Sequence, residues 1–256
     1  MIVRRPATRA EEVGSPLTID TVTFDFHNTL AWCDDWFQLE IRRLVPALLR
    51  WHGNIDDPTI EAKAIERYRA LRLEIIHHGN EQDAVTCAMQ VLQELEISID
   101  RPTVERGIAE VMRSALVTSE PVTGAIETVH RLADQGLRLG VISSAVYHPF
   151  LVWSLEKFGL ADAFQVIVTS ASAGYYKTRP ELYYYTLAQL GSKPDRSVHV
   201  GDSYRFDVLG ARAAGMHTVW FDTGHHEGRG DEADLCVTTI EGLAPVLLER
   251  FDSGDR

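Results

Sequence analysis

"FDFHNTL" (residues 24–30) is the stretch on which the reading of this chain turns. The residues leading into it, "LTIDTVTF", are β-branched and apolar, as in a buried strand. The strand ends on a carboxylate, Asp25, and His27, Asn28 and Thr29 follow. An Asp two places before a His is compatible with a nucleophile beside an acid/base group, with a metal ligand, or with a plain strand-to-loop junction. The rest of the chain has to decide between them.

Working outward, residues 17–26 read as the first strand. From Trp36 to about Leu116 the pattern is helical. "WFQLEIRRLVPALLRW" puts Phe37, Ile41, Leu44, Val45 and Leu48 on one face, and Asp57 followed by Pro58 reads as an N-cap and first helical residue. "DAVTCAMQVLQEL" and "TVERGIAEVMRSAL" supply two further amphipathic helices. Strand and helix then alternate, with strands expected at 137–143, 164–170, 197–202 and 217–222. Alternation of this kind predicts right-handed crossovers and an α/β fold, a Rossmann-like parallel sheet flanked by helices, interrupted after its first strand by an α-helical insertion. The expected division is a loose tail at 1–16, an α/β core at 17–32 and 118–256, and a helical cap domain at 33–117.

Such sheets bind ligands beyond the carboxyl ends of their strands. The first strand ends in Asp25, His27, Asn28 and Thr29. The second ends in Ser143 and Ser144. Lys177 follows the third, and Gly201, Asp202 and Ser203 close the fourth, with Asp207 opening the next helix. Taken singly, each has an ordinary reading: Asp25, Asp202 and Asp207 as caps or turn formers, Ser143 as a turn residue, Lys177 as a solvated lysine. His225 and His226 sit side by side in a Gly-rich loop with no partner at ligand spacing and read as solvated. Tyr175, Tyr176, Tyr183, Tyr184 and Tyr185 read as helix packing and site wall.

Taken together, "DFHNT", "VISS", "KTRPELY" and "GDSYRFDVLGARAAGM" resemble, in order, the four motifs of the haloacid dehalogenase superfamily, over about residues 17–250 and with the helical block where one subclass carries its cap. The resemblance implies a hydrolase in which Asp25 attacks phosphorus and forms an aspartyl-phosphate, splitting one displacement into two. It implies Mg²⁺ held by Asp25, the backbone carbonyl of His27, Asp202 and Asp207, all oxygen donors suited to a hard cation. Lys177 and Ser143 would hold the phosphoryl oxygens together with Ser144 and the backbone around Asn28 and Thr29. Asn28 stands where the family usually has Gly, and Asn tolerates the positive φ such a turn needs.

The family's phosphatases have a second Asp as general acid/base where this chain has His27. Imidazole suits that task, with its ordinary pKa near neutrality. Three readings follow: a Mg²⁺-dependent phosphatase acting on a small phosphorylated metabolite, a sibling phosphonate hydrolase or dehalogenase, or a catalytically weak phosphate- or partner-binding protein. A metal-free dehalogenase has little use for the Asp202/Asp207 pair. A phosphonate hydrolase needs a Schiff-base lysine in the cap, where Lys63 is available; the other lysines are Lys157, Lys177 and Lys193.

The 256 residues carry a formal net charge of -12 and lack a basic run, which argues against nucleic acid or an anionic membrane as partner. No apolar run approaches the ~18 residues of a membrane span. The N-terminal residues have no apolar core of the secretory kind. The three cysteines, Cys33, Cys87 and Cys236, are far apart and read as reduced thiols of a cytoplasmic protein.

Overall fold

The computed structural model describes residues 19–33, 36–224 and 231–251. The tail assigned to 1–16 and the His225–His226 loop lie outside the described residues. The described residues form eight strands: β1 (Thr21–Phe24), β2 (Ala31–Trp32), β3 (Glu120–Pro121), β4 (Arg138–Ser143), β5 (Val166–Thr169), β6 (Ser197–Gly201), β7 (His217–Phe221) and β8 (Leu235–Val237). Six form one parallel sheet in the order β5-β4-β1-β6-β7-β8, with helices between successive strands as far as β7. From β1 the chain winds outward through β4 and β5, then returns to β6 and winds the other way. The order reverses at the β1/β6 pair, which opens a crevice beyond the carboxyl ends of those two strands. β1 is buried throughout, and its flanking strands are nearly so, as expected of strands covered on both faces.

The expected α/β class is therefore present, with local differences. The first strand spans four residues, because Phe26 has already left the ladder, and the third ends at Thr169, whose side chain caps the short helix Ser170–Ala173. β8 is only three residues long, and β2 and β3 form a separate two-residue antiparallel ribbon. Pairs this short leave no alternation to read.

Between β2 and β3 lie five helices: Trp36–Arg42, Leu44–Trp51, Pro58–His78, Ala84–Glu94 and Arg101–Leu116. The first two were expected as one. They break at Arg43, since Pro46 lacks the N–H that would continue the ladder and is tolerated only in a first turn. Asp57 caps as expected, accepting from the Thr59 N–H at 2.8 Å. Asp83 and Asp100 do the same for the next two long helices. This helical block is tied to the core beside β1 and β4: Ala84 N–H donates to the Val146 carbonyl, Tyr176 N–H to that of Gly79, and Arg179 reaches Asn80 Oδ1 at 2.6 Å. No disulfide joins Cys33, Cys87 and Cys236. No helix among the described residues is long and apolar enough to cross a membrane.

Candidate active site

The crevice between β1 and β6 collects the polar strand ends. Asp25 follows β1, and its N–H still bonds the Val200 carbonyl at 2.8 Å, so the ladder holds its Cα in place. Asp202 follows β6 and is fixed from behind by the Trp220 indole, which donates to its carbonyl at 2.9 Å. Asp207 is brought back by a π-helical turn, Tyr204–Val208. Wide turns of this kind concentrate at functional sites. Its carboxylate accepts from the Ser203 N–H at 2.9 Å and lies against Gly201, where a Cβ would come within 2.3 Å of Asp207 Cγ. Glycine at 201 is therefore a matter of space.

Lys177 is buried between two of these carboxylates. Its ammonium donates to Asp25 and, at 2.6 Å, to Asp207. The chain delivers it through the capped turn Ser170–Ala173, closed by Gly174 in the left-handed region, just ahead of the helix Pro180–Leu190. Behind Asp207 stands His199, within 3.2 Å through Nε2 and within 2.9 Å of the Thr23 hydroxyl through Nδ1. Burial holds the ring neutral. A neutral ring facing an ionised carboxylate must carry its proton on Nε2 and accept from Thr23.

One oxygen from each of Asp25, Asp202 and Asp207 lies within 4.8 Å of the others, and all three residues are buried. Burial pushes Asp25 and Asp202 up, to about 8 and about 7, with neighbouring carboxylates adding to the rise. Burial acts the same way on Asp207, but Lys177 and His199 outweigh it and hold that group ionised. When all three carboxylates are ionised they exceed the one ammonium by two negative charges. A hard divalent cation at the shared point fits this donor set and its charge.

The hydroxyls expected around a phosphoryl group fit as well. Ser143 Oγ and Thr29 Oγ1 are buried and have no hydrogen-bond partner among the described residues. A buried unpaired hydroxyl costs free energy and marks a place where a partner is wanted. Asn28 adopts φ 60, as expected of Asn at that turn, and its amide reaches Asp202 Oδ2 at 3.3 Å.

His27 points elsewhere. Its ring stacks parallel to Phe150, with centroids 6.4 Å apart, and meets Phe26 edge-on. Burial first, and then the Lys177 cation, hold the imidazole near 3, so it is neutral. It opens on a pocket of about 150 Å³ shared with Ser144 and Tyr176 from the core and with Glu40, Arg72 and Ile76 from the helical block. Ser144 is thus separated in role from Ser143: it hydrogen-bonds the Tyr176 hydroxyl on the pocket wall. Tyr183 instead packs inside and donates to the Phe206 carbonyl at 2.7 Å, while Tyr184 and Tyr185 are exposed. Lys63 is exposed and does not line the pocket. It lies nine residues before Arg72 on one helix, roughly 14 Å at 1.5 Å per residue.

The sequence reading missed Glu40, Arg72, Glu81 and His199. One signal was available. The buried stripe of the helix Pro58–His78 is Ala64, Tyr68, Arg72 and Ile75, and an Arg on such a stripe requires buried partners.

The profile of the family described as haloacid dehalogenase-like hydrolases matches residues 65–221. The chain is 24% identical over 243 residues to the glyceraldehyde 3-phosphate phosphatase of Pyrococcus furiosus, covering 93% of this chain and 96% of that one. It is 32% identical over 132 residues to the pyrimidine 5'-nucleotidase YjjG of Escherichia coli, covering 50% of this chain and 57% of that one. Among solved structures, a HAD phosphatase from Thermococcus onnurineus superposes with a TM-score of 0.64 at 25% identity, covering 90% and 98% of the two chains. The 2-haloacid dehalogenase of Pseudomonas syringae superposes at 0.67 with 21% identity, over 91% and 99%, and shares the fold. With more than half its length matched, including the segments that carry Ser143, Lys177, Asp202 and Asp207, the chain belongs to the haloacid dehalogenase-like hydrolase family.

Proposed function

We propose that this protein is a Mg²⁺-dependent phosphatase of small phosphorylated metabolites, with Asp25 as nucleophile and residues 33–117 as its cap. The observation that carries the reading is the convergence of Asp25, Asp202, Asp207 and Lys177 in the crevice at the β1/β6 switch. Relatives named as phosphatases of glyceraldehyde 3-phosphate, ribulose 1,5-bisphosphate and pyrimidine nucleotides support the phosphoester as the bond broken.

Asp25, Asp202 and Asp207 would hold the ion, with the His27 carbonyl as a further oxygen donor. A bound Mg²⁺ offsets the repulsion between an anionic nucleophile and an anionic phosphate. The Asp25 carboxylate attacks phosphorus as the ester oxygen departs, forming an aspartyl-phosphate. Lys177 supplies fixed positive charge beside the attacking oxygen, and Ser143 and Thr29 donate to the phosphoryl oxygens as charge redistributes. His27 lines the adjoining pocket and is taken as the acid/base group; its buried imidazole is neutral in the free protein, and an anionic phosphate bound beside it would raise its pKa toward the protonated form that a departing oxygen needs. The exposed position of Lys63 leaves the phosphonate reading without its imine, and the retained carboxylate trio favours phosphatase over dehalogenase.

The test is release of inorganic phosphate from a panel of phosphorylated metabolites, with Mg²⁺ and with EDTA. Mg²⁺-dependent release supports the reading. A panel left intact while 2-haloacids lose halide without metal would overturn it.

A further inference from the structure

The phosphatase reading leaves open what the phosphate is attached to, and the second ion cluster of the molecule bears on that. Arg72 is 3% exposed on the helix Pro58–His78. Its Nε lies 2.6 Å from Glu40 Oε1. Its two terminal nitrogens form a fork with Glu81, at 2.5 and 3.1 Å. Arg72 and Glu40 both line the pocket that begins at His27, whereas Glu81 is sealed behind them. The pocket wall therefore shows an arginine whose charge two carboxylates already answer, together with one of those carboxylates. The cluster carries a net negative charge.

We infer that this pocket takes an uncharged, hydroxyl-bearing leaving group of about three carbons, and that Glu40 and Arg72 exclude leaving groups bearing a carboxylate or a second phosphate. The inference rests on the phosphatase reading and narrows its substrate. Three observations carry it. An anionic leaving group would need a cation, and the buried one, Arg72, is already paired. Arg69 lies at the rim and is exposed, where water and salt screen its charge. A carboxylate on the wall repels an anion but accepts hydrogen bonds from hydroxyls. Size gives the rest. An engineered cavity of about 150 Å³ holds benzene, about six heavy atoms. The pocket here is about 150 Å³, which matches a glycerol or glyceraldehyde skeleton and falls well short of a nucleoside. Ile41 and Ile76 line the helical side and suit a carbon backbone, while His27, Ser144 and Tyr176 line the core side.

The test compares two esters of equal length that differ only at the far carbon. Glycerol 3-phosphate ends in a hydroxymethyl group and 3-phosphoglycerate in a carboxylate. Steady-state kcat/KM is measured in Mg²⁺, and the ligand-induced rise in melting temperature is read in parallel, because that readout needs no turnover. The expected preference for glycerol 3-phosphate is at least about 100-fold, the scale of a like charge placed in a desolvated site. Glu40→Gln, which removes the charge and keeps the shape, should shrink that ratio at least tenfold by improving 3-phosphoglycerate. If the variant fails to fold, the wild-type ratio still decides. Equal or better use of 3-phosphoglycerate overturns the inference while leaving the phosphatase reading intact. Selective binding of glycerol 3-phosphate with no phosphate release from any ester upholds the pocket and overturns the phosphatase reading. Binding and cleavage of neither ester overturns both.

Discussion

The molecule holds two buried ion clusters, one in the crevice and one in the helical block on the wall of the pocket at His27, and they are built differently. In the crevice, Asp25, Asp202 and Asp207 surround Lys177 and bring their oxygens to within 4.8 Å of one another. In the helical block, Glu40 and Glu81 bracket Arg72 from two directions. Both have more carboxylates than cations. The difference lies in geometry. Arginine is a planar fork, and Arg72 gives Glu81 two directed bonds while holding Glu40 as an ion pair. Lysine is a compact point charge that leaves oxygens aimed at a common point. Unpaired buried hydroxyls also occur at Thr29, after β1, and at Ser143, at the end of the neighbouring β4. One cluster is finished by the protein itself, and the other is arranged around something brought from outside. The comparison teaches that buried charge alone does not mark an active site; convergence without saturation does.

The comparison breaks most readily at Asp25. Asp25→Asn should reduce phosphate release to background while circular dichroism and melting show a folded protein, since an amide is neither a useful nucleophile nor a charged ligand. A variant with near wild-type turnover would remove Asp25 from the chemistry. His27 comes next. His27→Ala should lose about 10²–10⁴ in rate, the usual contribution of a general acid/base. The loss should shrink with p-nitrophenyl phosphate, whose leaving group needs little protonation. Indifference to the substitution even with a poor leaving group would make His27 a packing partner of Phe150.

Arg72→Met asks whether the second cluster is structural. It leaves two buried carboxylates unanswered and should cost about 3–5 kcal/mol of stability, measured by denaturant unfolding. A loss confined to turnover would contradict the contrast drawn between the clusters. Ser143→Ala should separate stability from function in the opposite sense. Removing an unpaired buried hydroxyl should leave stability unchanged or raise it by up to about 1 kcal/mol, while affinity for phosphate esters falls. A stability loss would show that Ser143 already has a partner.

The smallest effect belongs to Asp20, at the start of β1. Partial burial pushes its carboxyl up, but the Ser192 and Thr21 hydroxyls and then Arg196 and Arg138 outweigh it, and the group stands below its ordinary value. A depressed folded pKa contributes stability above the ordinary carboxylate range, and that stability is lost as pH falls through the folded value. The stability gap between wild type and Asp20→Asn should therefore be present at pH 7 and close as pH falls below the ordinary carboxylate range. A gap independent of pH would assign Asp20 a role without charge.

The site was legible where local backbone chemistry requires a residue type. A nucleophile or ligand that must leave a buried strand shows as apolar residues ending on Asp25 or Asp202. A positive φ shows as Asn28 in place of glycine, and a helix start shows as Asp57-Pro58. The parallel sheet was legible for the same reason, since its strands are apolar runs between helices with their own caps. The β2/β3 ribbon and β8 were not, because two or three residues carry no period, whereas the break at Arg43 had a local signal in Pro46 that the apolar face of the segment masked.

From the sequence alone came the fold class, the helical insertion after the first strand, and the five residues Asp25, Ser143, Lys177, Asp202 and Asp207 that meet at the crevice. Each of these announces itself within a few residues of chain. Only the tertiary structure decided that Ser144 lines the pocket wall, that His199 stands behind Asp207, and that Arg72 is answered by Glu40 and Glu81. Those facts depend on side chains from separate elements meeting in low dielectric. There the worth of a charge is set by which partners reach it, and no stretch of sequence carries that information.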